Sequence, residues 1–121
     1  MLERSQRGGA APTAPERVAL RGVVGSTEGK VFPLVPGATR IGRARGSDIQ
    51  LADTGVSRNH AQLSVDAHGR VVILDLGSTN GTFVLGTRVS NEREVRLGSL
   101  IGFGPDAVLQ LVPGPGEPLA G

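Results

Sequence analysis

The sequence predicts an all-β fold, an antiparallel β-sandwich, on three observations. Short β-compatible runs recur along the chain, separated by turn clusters rich in Gly, Pro, Asn, Asp and Ser. Ala61-Gln62-Leu63-Ser64-Val65-Asp66 alternates apolar and polar residues, the pattern of a strand with one wet face. No segment carries a convincing helical period.

Eleven strands are expected, in this order. Val18–Val24 is valine-rich and runs into Gly25-Ser26. Lys30–Leu34 begins after Gly29 and stops before Pro36-Gly37. Thr39–Gly42 breaks where Gly42-Arg43 opens a loop, and Ile49–Leu51 is a short apolar run beyond it. Ala61–Asp66 and Val71–Asp75 flank Asp66-Ala67-His68-Gly69-Arg70, a hairpin turn in which His68 is solvated. Thr82–Val84, Thr87–Val89, Glu94–Arg96, Ser99–Phe103 and Ala107–Val112 complete the set. Phe32, Phe83 and Phe103 are the only aromatics, and their strand context assigns them to the core.

The most informative connection is Gly77-Ser78-Thr79-Asn80-Gly81-Thr82, between the apolar runs 71–76 and 83–85. Asn80-Gly81 is a strong turn signal, because both residues accept positive φ. Alone, the segment reads as a hairpin. Two upstream segments change that reading. Thr39-Arg40-Ile41-Gly42-Arg43-Ala44-Arg45-Gly46-Ser47-Asp48-Ile49 crowds three arginines around a strand end. Val56-Ser57-Arg58-Asn59-His60-Ala61 leads into the alternating strand. A folded-back sheet would bring the three polar loops to one end.

The succession G-R, S-R-x-H and G-S-T-N-G-T resembles the forkhead-associated (FHA) domain, a phosphothreonine-peptide recognition module. The resemblance covers roughly Val18 to Val112. It implies an eleven-stranded antiparallel sandwich of the FHA/SMAD-like type, with its binding loops at one end. It also implies roles. Arg43, Ser57, Arg58 and Thr79 would contact the phosphate, and Asn80 the peptide main chain. Gly42, His60, Gly77 and Gly81 would hold the loops.

The chemistry suits those roles. A phosphothreonine carries nearly two negative charges and three acceptor oxygens. Arginine offers planar paired donors, and serine a short hydroxyl. An amide side chain donates and accepts at once, so it can fix the register of an extended peptide. Taken singly, Arg43 and Arg58 read as solvated surface arginines; the matched pattern reverses that. Beyond the phosphate, the resemblance implies that Asp53-Thr54-Gly55-Val56 and Gly104-Pro105-Asp106 are the loops that choose the ligand's sequence. They contain no lysine or arginine, and Asp53 and Asp106 would disfavour an acidic residue.

Bulk properties narrow the alternatives. The sequence pI of 10.4 overstates a net charge of only +2 in a chain with no tyrosine or cysteine. No dense basic stripe with stacking aromatics is present, so nucleic acid is not an expected partner. There is no nucleophile–base set, Walker motif or metal-ligand cluster, so no catalytic residue, cofactor or metal is assigned. No apolar run approaches membrane-spanning length, and the N-terminus lacks a signal-peptide core. The cytoplasm is the expected location, and arginine-heavy usage hints at a bacterial, GC-rich source.

Residues 1–16 and 113–121 read as Pro/Gly-rich tails around a domain at 17–112. The expected partner is a threonine-phosphorylated protein or peptide, such as a Ser/Thr kinase or its substrate. Thr13, in Ala-Pro-Thr-Ala-Pro-Glu, offers a phosphorylation site for self-association, against the plainer reading of an inert linker. The alternative function is a phosphate-independent scaffold on the same fold.

Overall fold

Alternating burial along the longer strands lets two sheets close on one core. The computed structural model describes residues 17–114. One sheet contains β1 (Val18–Val24), β2 (Val31–Pro33), β7 (Thr82–Val84), β8 (Thr87–Arg88), β10 (Leu100–Phe103) and β11 (Ala107–Pro113), in the order β2-β1-β11-β10-β7-β8. The other contains β3 (Gly37–Gly42), β4 (Ile49–Gln50), β5 (Ala61–Val65), β6 (Val71–Asp75) and β9 (Glu92–Val95), in the order β4-β3-β5-β6-β9. Leu20, Leu109, Leu111, Ile101 and Phe103 of the first sheet share a fully buried core with Ile41, Leu63, Val71 and Ile73 of the second.

The eleven strands fall where the sequence placed them, and β1, β6 and β7 have the expected bounds. β9 starts two residues early, because Glu92 and Arg93 pair with Leu74 and Ile73 of β6. Cross-strand pairing there outweighs low strand propensity. β11 takes in Pro113, which had been assigned to the tail; it pairs with Val18, and the Gly114 N–H donates to Arg17 O at 2.9 Å. Phe103 is buried as expected, whereas Phe32 only packs against the core and Phe83 is half-buried opposite Gly102.

The structure adds two details to the expected sandwich. First, the sandwich is not wholly antiparallel: β4 runs parallel to β3, with Ile41 opposite Ile49. Loop 43–48 must therefore double back. It is held by Arg40 N–H on Asp48 Oδ2 (2.8 Å), Ser47 N–H on Ala44 O (3.0 Å) and Gln50 Nε2 on Arg43 O (3.1 Å). Second, 77–81 is not a hairpin. It carries the chain from β6 in one sheet to β7 in the other. Gly77 and Gly81 have positive φ (79° and 92°), but Asn80 does not. The two-residue hairpin lies on the other side of β7, at Leu85-Gly86, with φ of 51° and 81°.

The edge strands β2, β8, β4 and β9 are only 3, 2, 2 and 4 residues long. Among the described residues no helix is long and apolar enough to cross a membrane. Thr13 lies outside the described residues.

A cationic loop cluster as the candidate functional site

The end of β3 is where the site begins. A Cβ on Gly42 would run into the Arg58 carbonyl, so the 57–60 segment can cross β3 only at a glycine. The crossing is then zipped by backbone. Arg43 N–H donates to Ser57 O at 3.0 Å, and Ala44 N–H to Arg58 O at 3.2 Å. Arg43 and Arg58 thus come from two segments lying side by side. Arg43 Nε donates to Val56 O at 2.9 Å, which fixes the stem and leaves the terminal nitrogens for a ligand. Arg58 is exposed.

Ser57 connects this pair to the third loop. Its Oγ accepts from Thr79 N–H at 3.0 Å, so its own hydroxyl hydrogen remains to donate. The Ser57 N–H donates to His60 Nδ1 at 3.0 Å, and His60 Nε2 lies 2.9 Å from Gly81 O. Nδ1 accepts, so Nε2 carries the hydrogen and donates to Gly81 O. His60 is wholly buried and packs edge-on against Phe103, with centroids 5.7 Å apart and planes at 74°. Burial pushes its pKa below 6.5, and the Gly81 carbonyl and the Asp75 charge only partly oppose this. The neutral ring is the form the arrangement needs, because a protonated Nδ1 would point its hydrogen at the Ser57 N–H.

The third loop is built on Asp75. Ser78 Oγ and Thr82 Oγ1 donate to Oδ1 (2.6 and 2.7 Å), and the Gly77 and Ser78 N–H groups donate to Oδ2 (3.0 and 3.1 Å). Burial alone would raise the pKa of this carboxyl; the four donors outweigh it and hold the value below the usual range. Ser78 Oγ in turn accepts from Gly81 N–H at 3.0 Å. Asn80 reaches across to the second loop, donating from Nδ2 to Gly55 O at 2.9 Å. Its Oδ1 and second N–H remain for another partner. The 104–106 loop closes against the same place, with Gly104 N–H on Gly81 O at 3.0 Å.

Arg43, Ser57, Arg58 and Thr79 are therefore joined at one end of the sandwich, with Asn80 beside them. Gly42, His60, Gly77 and Gly81 stand beneath as architecture. Asp75, Thr82 and the Ser26–Asp53 tie were not anticipated. Asp75-Leu76-Gly77-Ser78 does carry a local signal, a carboxylate followed by the N–H groups it can cap. Asp53 does not face outward as a free charge: its oxygens accept from Ser26 N–H (3.0 Å) and Ser26 Oγ (2.7 Å). An open cleft of about 380 Å³ beside the site is lined by Arg43, Ala44, Arg45, Gln50 and Arg58. Among the described residues no three metal-ligating side chains gather.

Fold and site together define a β-sandwich that presents a braced cationic loop cluster at one end. The chain belongs to the FHA domain family: the family model matches residues 39–104, more than half of it. An FHA domain-containing protein of Arabidopsis thaliana is 41% identical over 78 residues, 63% of this chain and 20% of that protein. This chain thus spans a fifth of that relative's length. The solution structure of an FHA domain from an Arabidopsis thaliana hypothetical protein superposes with a TM-score of 0.79 at 29% identity, over 96% of this chain and all of that one. A solved domain from work on phosphothreonine-dependent FHA interactions gives 0.73 at 33% identity, over 82% and 98%.

Proposed function

We propose that this chain is a phosphothreonine-dependent protein–protein interaction module, reading the output of a Ser/Thr kinase rather than catalysing a reaction. The observation that carries the proposal is the zipping of the Arg43 and Arg58 segments, with Ser57 Oγ held between them and Thr79. Two guanidinium groups balance a phosphate dianion, and the Ser57 hydroxyl supplies a short neutral donor. Thr79 adds a second hydroxyl at the rim. Asn80, anchored through Nδ2, keeps an acceptor and a donor for the peptide main chain.

Family membership supports this reading, as does the similar solved domain whose interactions are phosphothreonine-dependent. The test is calorimetry with a matched pair of peptides, one carrying phosphothreonine and one threonine. Binding of the phosphorylated peptide alone is expected. Binding of neither, or of both equally, would favour a phosphate-independent scaffold.

A further inference from the structure

The cationic cleft holds one more positive charge than a phosphate requires. Arg43 and Arg58 suffice for a dianion, yet Arg45 lines the same cleft. No carboxylate lines it. The nearby acids are engaged elsewhere: Asp48 accepts from Arg40 N–H, Asp53 from Ser26, and Asp75 from Ser78, Thr82 and Gly77. Among the described residues Arg45 has no ion-pair partner.

Space and position agree with charge. At about 30 Å³ per water, 380 Å³ is room for roughly a dozen waters, more than the four heavy atoms of a phosphoryl group need. Ser57, Thr79 and Asn80 are not part of this lining. The cleft extends from Arg43 and Arg58 towards Gln50 and Arg45. Its floor is braced, because Gln50 Nε2 donates to Arg43 O at 3.1 Å and Gln50 lies beside Gly42 in the parallel β3–β4 pair.

We propose that Arg45 is a specificity-determining residue that receives a second anionic side chain of the ligand, a carboxylate or a phosphate. That group falls within two residues of the phosphothreonine, on the side away from Asn80. The inference rests on the phosphothreonine reading above. It predicts that the favoured ligands are acidic segments, although the 53–56 and 104–106 loops offer no cation for them.

The test measures binding of the whole chain to phosphothreonine peptides with neutral flanks, and to versions with one glutamate or one phosphoserine at each of the two positions on either side. Wild type should bind the best acidic version roughly three- to tenfold more tightly than the neutral one. In Arg45→Ala that ratio should collapse towards one, and in Arg45→Glu a lysine-flanked peptide should win. The ratio is read within each protein, so a general weakening of a variant does not mimic the result. The glutamate and phosphoserine arms tell which anion is taken. A wild-type ratio near one overturns the inference while the phosphothreonine reading stands, and a ratio that persists in Arg45→Ala removes Arg45 as its source. If no phosphorylated peptide binds wild type, the phosphothreonine reading itself fails.

Discussion

Two connections flank β7, and they are built in opposite ways. Leu85-Gly86 closes the β7–β8 hairpin with two left-handed residues. Its shape is a matter of backbone dihedrals. The 76–81 connection crosses between sheets and is set by side chains: Ser78 within it, Asp75 and Thr82 at the strand ends it joins, and His60 and Ser57 from a separate loop. A side chain in the hairpin can therefore change while the hydrogen bonds of the loop cluster stay in place. The crossing loop cannot, because the groups that shape it also place the atoms proposed to meet the ligand. Stability and recognition are separable at one connection and shared at the other.

The largest expected effect breaks the shared side. His60→Ala removes the acceptor for Ser57 N–H and the donor for Gly81 O, and leaves a cavity beside Phe103. A destabilisation of about 3–5 kcal/mol is expected, with the melting temperature down by more than about ten degrees. Peptide affinity should fall with it. The same ring sets a pH dependence. Its pKa is lowered in the folded state, so its contribution is complete above about 6.5, where both states are neutral. Below that the unfolded chain takes up the proton first, and stability is lost as pH falls through the folded value. Asp75, also lowered, acts in the separate window below the ordinary carboxylate range. Denaturant melts between pH 8 and 2 on wild type and a His60 variant would separate the two; a dependence near pH 6 that survives without His60 refutes the assignment.

Next in size, Arg58→Ala should cut phosphopeptide affinity ten- to hundredfold, about 1.5–3 kcal/mol, without moving the melting temperature. Arg43→Ala should lose similar affinity. Calorimetry and thermal melts on the same samples decide, and unchanged affinity in a folded Arg58→Ala removes it from the site. Smaller again is the choice between phosphothreonine and phosphoserine. The phosphate is common to both, so only a methyl-sized recess beside the Asn80 loop can discriminate. A preference for threonine of at least about tenfold is expected in otherwise identical peptides. Equal affinities would mean that the 77–82 segment only turns the chain.

The smallest effect sharpens the comparison from the hairpin side. Leu85 sits exposed at φ 51°, a conformation that costs a leucine roughly 1–2 kcal/mol and suits asparagine. Leu85→Asn should stabilise by about 1 kcal/mol, a rise of roughly 4–8 °C, with peptide affinity unchanged. A change in affinity would show that the two connections are coupled through β7.

The same contrast explains what could be read from sequence. Strands such as Val71–Asp75 were legible because their apolar residues bury alternately and glycine or aspartate stops them. Gly42-Arg43, Ser57-Arg58 and Thr79-Asn80 were legible as short motifs. What escaped depends on residues far apart in the chain. Ser26 holds Asp53 across 27 positions. The parallel return of β4 is fixed by the partners that Asp48 and Gln50 find, Arg40 N–H and Arg43 O, which composition does not name. Asn80-Gly81 misled in one respect, since its asparagine is spent on Gly55 rather than on a left-handed turn. The true hairpin uses a leucine that no turn preference would nominate.

The brevity of the edge strands has a further consequence. With 3, 2, 2 and 4 residues, β2, β8, β4 and β9 leave few unpaired backbone groups along the flanks of the sandwich. Arg88 on β8, the charged residues of β9 and Pro33 on β2 blunt them further. A neighbouring polypeptide finds no rail on which to extend either sheet, so crowding or heating offers little template for fibril-like stacking. A peptide ligand likewise finds little edge to extend by adding a strand, so the proposed recognition falls to the loops at the end of the sandwich.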